Sequence, residues 1–353
     1  MNKLQFLRPD LDAVASRLSG VAEDLKGARF FITGGTGFFG KWFLSTLITL
    51  NRVYGAGISC TVLTRNPARF REAAAELSGD LAVTLLQGDV ADFTMPANSH
   101  FTHVLHAATD VTRPDRIHPV DEIRTIVTGT DRVMRAAVDA GADSFLLLGS
   151  GAVYGPMPEH LSAFPEDHVG FEPPDLRTAY GAGKRMNELQ AMAYHTQYGL
   201  KTRIARCFAF IGPHQPLDSH FAVTSFLGNI LHNQPITLSG TGQAVRSYLY
   251  AADLMVWLFV ILVRGEVLRP YNVGSPQPMT IAELARRVGS ILAPELPVTI
   301  PNAVLREEPR SVYLPDTGRA SRELGLDVWT PFDEAVRRTF AWYQATLEAD
   351  GSV

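Results

Sequence analysis

Two cysteines among 353 residues, Cys60 and Cys207, are too few and too far apart for a disulfide framework or a zinc site. No metal is expected, and the scarcity suits a reducing, cytoplasmic setting. Basic residues are not in excess: 32 Lys and Arg against 36 Asp and Glu leave a net charge of −4. That charge lacks the basic footprint of a nucleic-acid partner. Long apolar runs are missing too. The longest, 254–263, is bracketed by Asp253 and Arg264 and has about half of the roughly 20 residues a membrane-spanning helix needs. It reads as a buried helix, and no membrane partner is expected. The first residues, Met1-Asn2-Lys3-Leu4-Gln5-Phe6, carry no signal-peptide apolar core. Neither repeats nor low-complexity tails occur. What remains is ordinary globular usage, 46% apolar and 19% charged.

Short apolar runs alternate with helical patterns along the first two thirds of the chain. Runs at 29–33, 58–64, 82–87, 103–106 and 144–149 are β-branched or aromatic; patterns at 39–50, 68–77 and 120–140 are helical. A helix over 178–198 and a strand over 202–207 continue the rhythm. This alternation predicts an α/β fold, a doubly wound parallel sheet of the Rossmann type. Ahead of it, 11–25 reads as an amphipathic helix announced by Pro9 and Asp10. Beyond Gly212 the elements shorten and end in a helix over 332–346, which predicts a smaller substrate-binding lobe. The expected division is an N-terminal helical extension (1–27), a dinucleotide-binding domain carrying the catalytic residues (28–212) and a partly interleaved lobe (213–353). The Pro-rich, acidic stretch 156–174 reads as a loop over the cleft.

Thr33-Gly34-Gly35-Thr36-Gly37-Phe38-Phe39-Gly40 follows an apolar strand and opens a helix. In that context a Gly-x-x-Gly-x-x-Gly run is a dinucleotide site. Its glycines admit the pyrophosphate, and the helix N-terminus offers N–H groups and a positive dipole. The next strand ends in Leu63-Thr64-Arg65-Asn66, without the carboxylate that would accept from the ribose 2′-hydroxyl of NAD. Arg65, with Arg69 nearby, therefore favours NADP, although Arg65 could equally stack on adenine or face solvent. Asp89 and Val90 after the third strand suit the adenine amino group, or a plain turn. His106-Ala107-Ala108 ends the fourth strand with small residues against which a nicotinamide ribose can lie; His106 itself reads as a packed strand-end residue.

Tyr180 and Lys184 stand four apart near the start of a helix, on one face. A nearby cation favours phenolate and would draw the tyrosine down from about 10, toward service as a general base. Ser150 ends the fifth strand, where ligands bind in an open parallel sheet. Ser150, Tyr180 and Lys184 can thus converge on a substrate hydroxyl beside a nicotinamide ring.

At this point the chain resembles the extended short-chain dehydrogenase/reductase family, and within it the nucleotide-sugar epimerases and dehydratases. The resemblance runs from residue 30 to about 343 and includes Gly212-Pro213, the segment from Arg246 to Asp253, Tyr271-Asn272-Val273-Gly274 and Pro315-Asp316. It implies that Tyr180 takes the proton of a sugar hydroxyl, at C4, as hydride leaves for the cofactor. Lys184 would keep the phenolate ionised and bond the ribose, and Ser150 would hydrogen-bond the reacting oxygen. Arg246 would clamp the substrate diphosphate, with Arg306, or Arg310 in its place, as a second arginine. The resemblance further implies a homodimer through the tyrosine–lysine helix.

Three departures narrow the activity. The 4,6-dehydratases carry Asp-Glu directly after the catalytic Thr or Ser, and the decarboxylases keep the glutamate; here stand Gly151 and Ala152. Cys207 and Ala209 replace the tyrosine and asparagine of the family's Arg-Tyr-Phe-Asn, and Ile126 replaces an asparagine. Among His214, Asp218, Ser219 and His220, His220 is the foremost substitute substrate contact; Asp218 or Ser219 could equally cap the next helix. We expect an NAD(P)-dependent nucleotide-sugar 4-epimerase, with an NADPH-dependent 4-ketoreductase as the alternative. A dehydratase or a non-catalytic NADP sensor ranks below both.

Overall fold

The computed structural model describes residues 3–109, 118–170, 175–300 and 311–349. Seven strands form the central sheet: β1 (Arg29–Thr33), β2 (Ser59–Thr64), β3 (Val83–Gln87), β4 (His103–His106), β5 (Ser144–Ser150), β6 (Thr202–Cys207) and β7 (Pro270–Val273). Their order is β7-β6-β5-β4-β1-β2-β3, and every pairing is parallel. The sheet has helices on both faces, so its inner strands are apolar throughout rather than alternating. Phe30, Phe31 and Ile32 of β1 are fully buried, and so is nearly all of β5. Strand order reverses between β1 and β4, which opens a crevice at their carboxyl ends, the usual place for a ligand in such sheets.

The expected elements are present with shifted ends. The N-terminal helix spans Arg8–Arg17, a turn earlier than its apolar pattern suggested, with Pro9 in its first turn. It breaks at Leu18, and a short turn, Ser19–Ala22, follows. Leu11, Val14, Ala15 and Leu18 bury its inner face. Buried Asp10 accepts from Tyr250 Oη at 2.5 Å and pairs with Arg338, tying this extension to the short strand Leu249–Tyr250 and to the last helix. The apolar run lies in the helix Ala251–Arg264, buried from Ala251 to Leu262. No helix among the described residues is long and apolar enough to cross a membrane.

The expected helix over 120–140 is a helix, Pro119–Ile123, a π-turn, Arg124–Thr128, and a helix, Gly129–Asp139. Later elements are the helices Ala222–Leu231, Ile281–Leu292 and Phe332–Ala349, with short strand pairs between them. The second of these opens with a reciprocal cap between Thr280 and Glu283. A separate apolar cluster of Val153, Tyr154, Phe164, Phe208, Val312 and Leu314 lies beneath the end of β5. It joins the loop after Ser150 to the segment before Asp316.

Candidate active site

The glycine turn is built by close approach. Gly34 has φ +71, and a Cβ there would lie 2.4 Å from the Ala107 carbonyl oxygen. A Cβ on Gly40 would meet Gly35 Cα at 2.2 Å. These two glycines let the turn from β1 pack onto the end of β4 and onto itself. Gly37 differs: its nearest neighbour to a Cβ is Gly34 O at 3.5 Å, so the protein's own packing does not demand glycine there. It is also the exposed N-cap of the helix Phe38–Tyr54 and supplies no side-chain cap. A bare helix N-terminus beside an exposed glycine fits the diphosphate of a dinucleotide, and Gly34, Thr36, Gly37, Phe38, Phe39 and Gly40 are the residues that would hold it.

Around the crevice, Thr64 is buried and Arg65 is exposed at the end of β2, while Asn66 caps the next helix through Arg69 N–H at 3.0 Å. Asp89 caps its own turn, accepting from Ala91 N–H at 2.9 Å, and Val90 is buried against Gly129. Both nitrogens of His106 are engaged internally, Nδ1 with Thr33 Oγ1 at 2.7 Å and Nε2 with Thr130 Oγ1 at 2.8 Å. Burial, reinforced by the Lys184 charge, pushes this imidazole down to about 3, so it is a neutral packing residue. Only its backbone, with Ala107 and Ala108, is left to face a cofactor.

Ser150, Tyr180 and Lys184 do converge. The helix Ala179–Tyr198 starts against the 3-10 turn Gly151–Tyr154. A Cβ on Gly181 would lie 2.5 Å from Ala152 O, and one on Gly183 would lie 2.9 Å from Ile126 Cγ2. Of the two glycines between the tyrosine and the lysine, poor helix formers, Gly181 therefore lets the helix start close on the turn that follows β5, and Gly183 lets it close on the π-turn Arg124–Thr128. Tyr180 lies near enough to Ser150 for the serine hydroxyl to favour its phenolate. Lys184 is 4% exposed; its ammonium donates to Leu148 O at 3.0 Å and Thr109 Oγ1 at 3.1 Å. Desolvation lowers it to about 8.

One expectation is reversed here. Tyr180 is pushed above its usual value of 10, chiefly by burial, with the nearby Ser150 hydroxyl opposing. The Lys184 ammonium sits 5.8 Å from the phenol ring centroid and is directed at a carbonyl and a hydroxyl, not at the phenol oxygen. Spacing placed the pair on one face but did not reveal that the ammonium would turn to Leu148 O and Thr109 Oγ1 while burial raises the phenol.

Arg246 is half-buried and fixed by the segment 311–316: it donates to Val245 O at 2.8 Å, Ser311 O at 3.0 Å and Ser311 Oγ at 3.0 Å. Among the described residues no carboxylate pairs with it, which leaves a positive charge suited to an anionic ligand. Arg306 and Arg310 lie outside the described residues. His220 is exposed, its ring 4.3 Å from Phe221, at the entry to the helix Ala222–Leu231. His214 packs 4.7 Å from Trp342 and is lowered to about 3 by burial, so it serves packing instead of contacting a substrate. Ser219 bonds Thr224 Oγ1 at 2.8 Å beneath the next helix start.

Sequence reasoning missed several neighbours. Thr109 receives Lys184. Arg206 holds the tyrosine–lysine helix to β6 through a two-pronged pair with Glu188, at 2.8 and 2.7 Å, and also donates to Tyr154 Oη at 2.7 Å. Breaking so buried a pair costs roughly 3–5 kcal/mol. Tyr313 Oη lies 3.3 Å from Ser150 Oγ, and a Cβ on Gly151 would meet Phe208 Cζ at 2.6 Å and Tyr313 Oη at 2.8 Å. The only signal of Tyr313 was its place two residues before Pro315-Asp316.

Residues 30–274 match the model of the NAD dependent epimerase/dehydratase family. The chain is 31% identical over 308 residues to UDP-glucuronic acid decarboxylase 1 of Arabidopsis thaliana, covering 87% of this chain and 67% of that protein. It is 27% identical to dTDP-glucose 4,6-dehydratase of Streptomyces antibioticus, over 89% of this chain and 91% of the relative. Among solved structures it is similar to the dTDP-glucose 4,6-dehydratase DesIV of Streptomyces venezuelae with NAD bound, at TM-score 0.76 and 26% identity, covering 91% and 98% of the two chains. The fold is shared with UDP-N-acetylglucosamine 4-epimerase of Methanobrevibacter ruminantium, at TM-score 0.78 and 20% identity over 91% and 99%. With its seven-stranded parallel sheet, its glycine turn and this match across most of its length, the chain belongs to the NAD dependent epimerase/dehydratase family.

Proposed function

We propose that this protein is a nucleotide-sugar 4-epimerase that works through a transient 4-keto sugar. The observation that carries this reading is the filled space beside Ser150. A dehydratase or decarboxylase of this family would need an acid–base side chain on the residues that follow it. Here Gly151 and Ala152 have none, and Phe208 and Tyr313 occupy the volume into which a residue 151 side chain would grow. Similarity to decarboxylases and dehydratases fixes the family, whereas these positions bear on the reaction.

The chain's residues divide the work in this reading. The glycine turn and the helix start behind it hold the cofactor diphosphate. NAD(P)+ supplies, when bound, the hydride acceptor at C4 and a positive ring that favours phenolate. Tyr180 removes the proton of the C4 hydroxyl and returns it when the sugar is reduced from its other face. Ser150 donates to the oxygen as it becomes a carbonyl, and Lys184 stabilises the phenolate through its charge. Arg246, His220 and Arg306 are assigned to the nucleotide sugar, in a substrate lobe made mainly of 213–353, and residues 28–212 form the cofactor domain.

The test is to incubate the protein with NAD+ or NADP+ and, separately, UDP-glucose, UDP-N-acetylglucosamine, UDP-glucuronic acid or dTDP-glucose. Proton NMR should show interconversion at C4 with no net change at 340 nm. A 4-keto-6-deoxy product or released carbon dioxide would overturn the reading. A 4-ketoreductase is favoured by one observation, the exposed Arg65 on a strand end without a carboxylate. Arg65→Ala should weaken NADP(H) at least tenfold more than NAD(H) in calorimetric titrations; equal weakening would remove the argument for 2′-phosphate recognition and for NADP.

A homodimer is part of the proposal. Met186, Leu189 and Met192, exposed by 43%, 57% and 53%, lie on the tyrosine–lysine helix, and Val120 and Ile123 are exposed on the segment packed beside it. Leu189→Glu should convert a sedimenting dimer to monomer, and an unchanged sedimentation coefficient would place any interface elsewhere.

A further inference from the structure

We propose that Tyr313 is a positioning residue for the reaction: its hydroxyl holds the Ser150 hydroxyl as a hydrogen-bond donor to the reacting sugar oxygen. The inference rests on the functional reading above for the identity of that oxygen. A serine hydroxyl has one hydrogen to donate and two lone pairs to accept with. At Ser150 one lone pair takes Ala152 N–H at 3.1 Å. Tyr313 Oη, 3.3 Å away, is placed to fill the second. With both lone pairs occupied, Ser150 can only donate, and its remaining hydroxyl neighbour is Tyr180, the side on which the substrate oxygen must sit.

Tyr313 has one competing acceptor, Cys207 O, also at 3.3 Å. A carbonyl forming on the sugar draws on the Ser150 proton, and that polarisation strengthens Tyr313 as donor to Ser150. The phenol is fixed from several sides. Its ring lies 4.6 Å from Phe208, Arg246 lies 5.9 Å over its ring, and bridges from Val312 to Val245 and from Pro315 to Phe164 hold the chain around it. Its approach to Ser150 also requires glycine at 151, where any Cβ would meet its oxygen at 2.8 Å. One arrangement thus removes an acid–base side chain and supplies a hydroxyl that orients the serine.

Tyr313→Phe keeps the ring packing and deletes the donor. We expect kcat to fall about tenfold, equivalent to about 1.4 kcal/mol, with KM for the nucleotide sugar and Kd for NAD+ within twofold. In a Ser150→Ala background the same change should cost less than twofold. A tenfold loss in both backgrounds, or none in the wild type, overturns the assignment. A wild type that turns over none of the four nucleotide sugars counts against the functional reading, and the Tyr313 contact is then decided by NMR. With tyrosines labelled at Cζ, and Tyr313 assigned through Tyr313→Phe, its resonance should move upfield in Ser150→Ala as donation to the serine is lost. An unmoved or downfield-shifted resonance overturns the proposal.

Discussion

Tyr180→Phe should lower kcat about 10³-fold, within the 10²–10⁴ range of a lost general acid–base group, and leave Kd for NAD(P)+ within about twofold. The substitution is conservative where the structure is close-packed. The helix start stays against the Gly151–Tyr154 turn, and only the phenol oxygen on the Ser150 side disappears. Lys184 keeps both of its hydrogen bonds, because neither runs through the phenol. Binding and folding should therefore survive, as cofactor titration and near-UV circular dichroism can verify. Activity within tenfold of wild type would mean that another group moves the proton, and Tyr313 would be the first alternative. Complete loss is not expected, since Ser150 and the bound geometry still stabilise the developing carbonyl and effects within one catalytic unit are far from additive. The elevated phenol adds a directional check. Burial holds Tyr180 protonated at neutral pH, so kcat/KM in the oxidative direction should rise with pH through the neutral range and show no such rise in the phenylalanine variant.

What the sequence disclosed about this site follows from how local each feature is. The parallel sheet was legible because its strands are buried on both faces and read as short apolar runs: 29–33, 103–106 and 202–207 were placed without error. The glycine turn was legible because its chemistry lies within eight residues. Tyr180 and Lys184 declared themselves through helical spacing, and Ser150 through its place at a strand end. The unread parts depend on segments distant in sequence. Tyr313 reaches Ser150 across 163 residues, and Arg206 reaches Glu188 from strand to helix. No periodicity encodes either contact. Even Asn272, within the landmark Tyr271-Asn272-Val273-Gly274, turned out to be a junction, binding Phe164 O at 2.7 Å, Asp316 O at 3.0 Å and Tyr154 Oη at 2.8 Å. The sign of the Tyr180 shift escaped for a related reason: charge can be counted in a sequence, whereas desolvation depends on everything packed around the group.

Lys184→Met should abolish most activity and remove a pH dependence of stability that the wild type carries. The ammonium is desolvated and titrates at about 8 in the folded chain, against 10.5 for a solvated lysine. Below about pH 8 both the folded and unfolded states hold the proton, and the cost of burying the charge is present in full. Between 8 and 10.5 the unfolded chain still holds a proton that the folded chain has released, so stability rises with pH. Above 10.5 both are neutral and the gain is complete. That span of about two and a half pH units corresponds to about 3 kcal/mol. Guanidinium melts of both proteins at pH 7 and pH 11 should therefore show the wild type gaining about 3 kcal/mol relative to the methionine variant. The buried tyrosines titrate in both proteins and cancel in that difference. Methionine also deprives Leu148 O and Thr109 Oγ1 of a donor, a pH-independent loss of about 1–3 kcal/mol, so the change with pH carries the test and the offset does not. A flat difference would show that water reaches the ammonium, and the electrostatic account of the site would fail with it. The expected change in stability together with activity within tenfold of wild type would leave Lys184 a buried structural charge and require another cation to stabilise the Tyr180 phenolate.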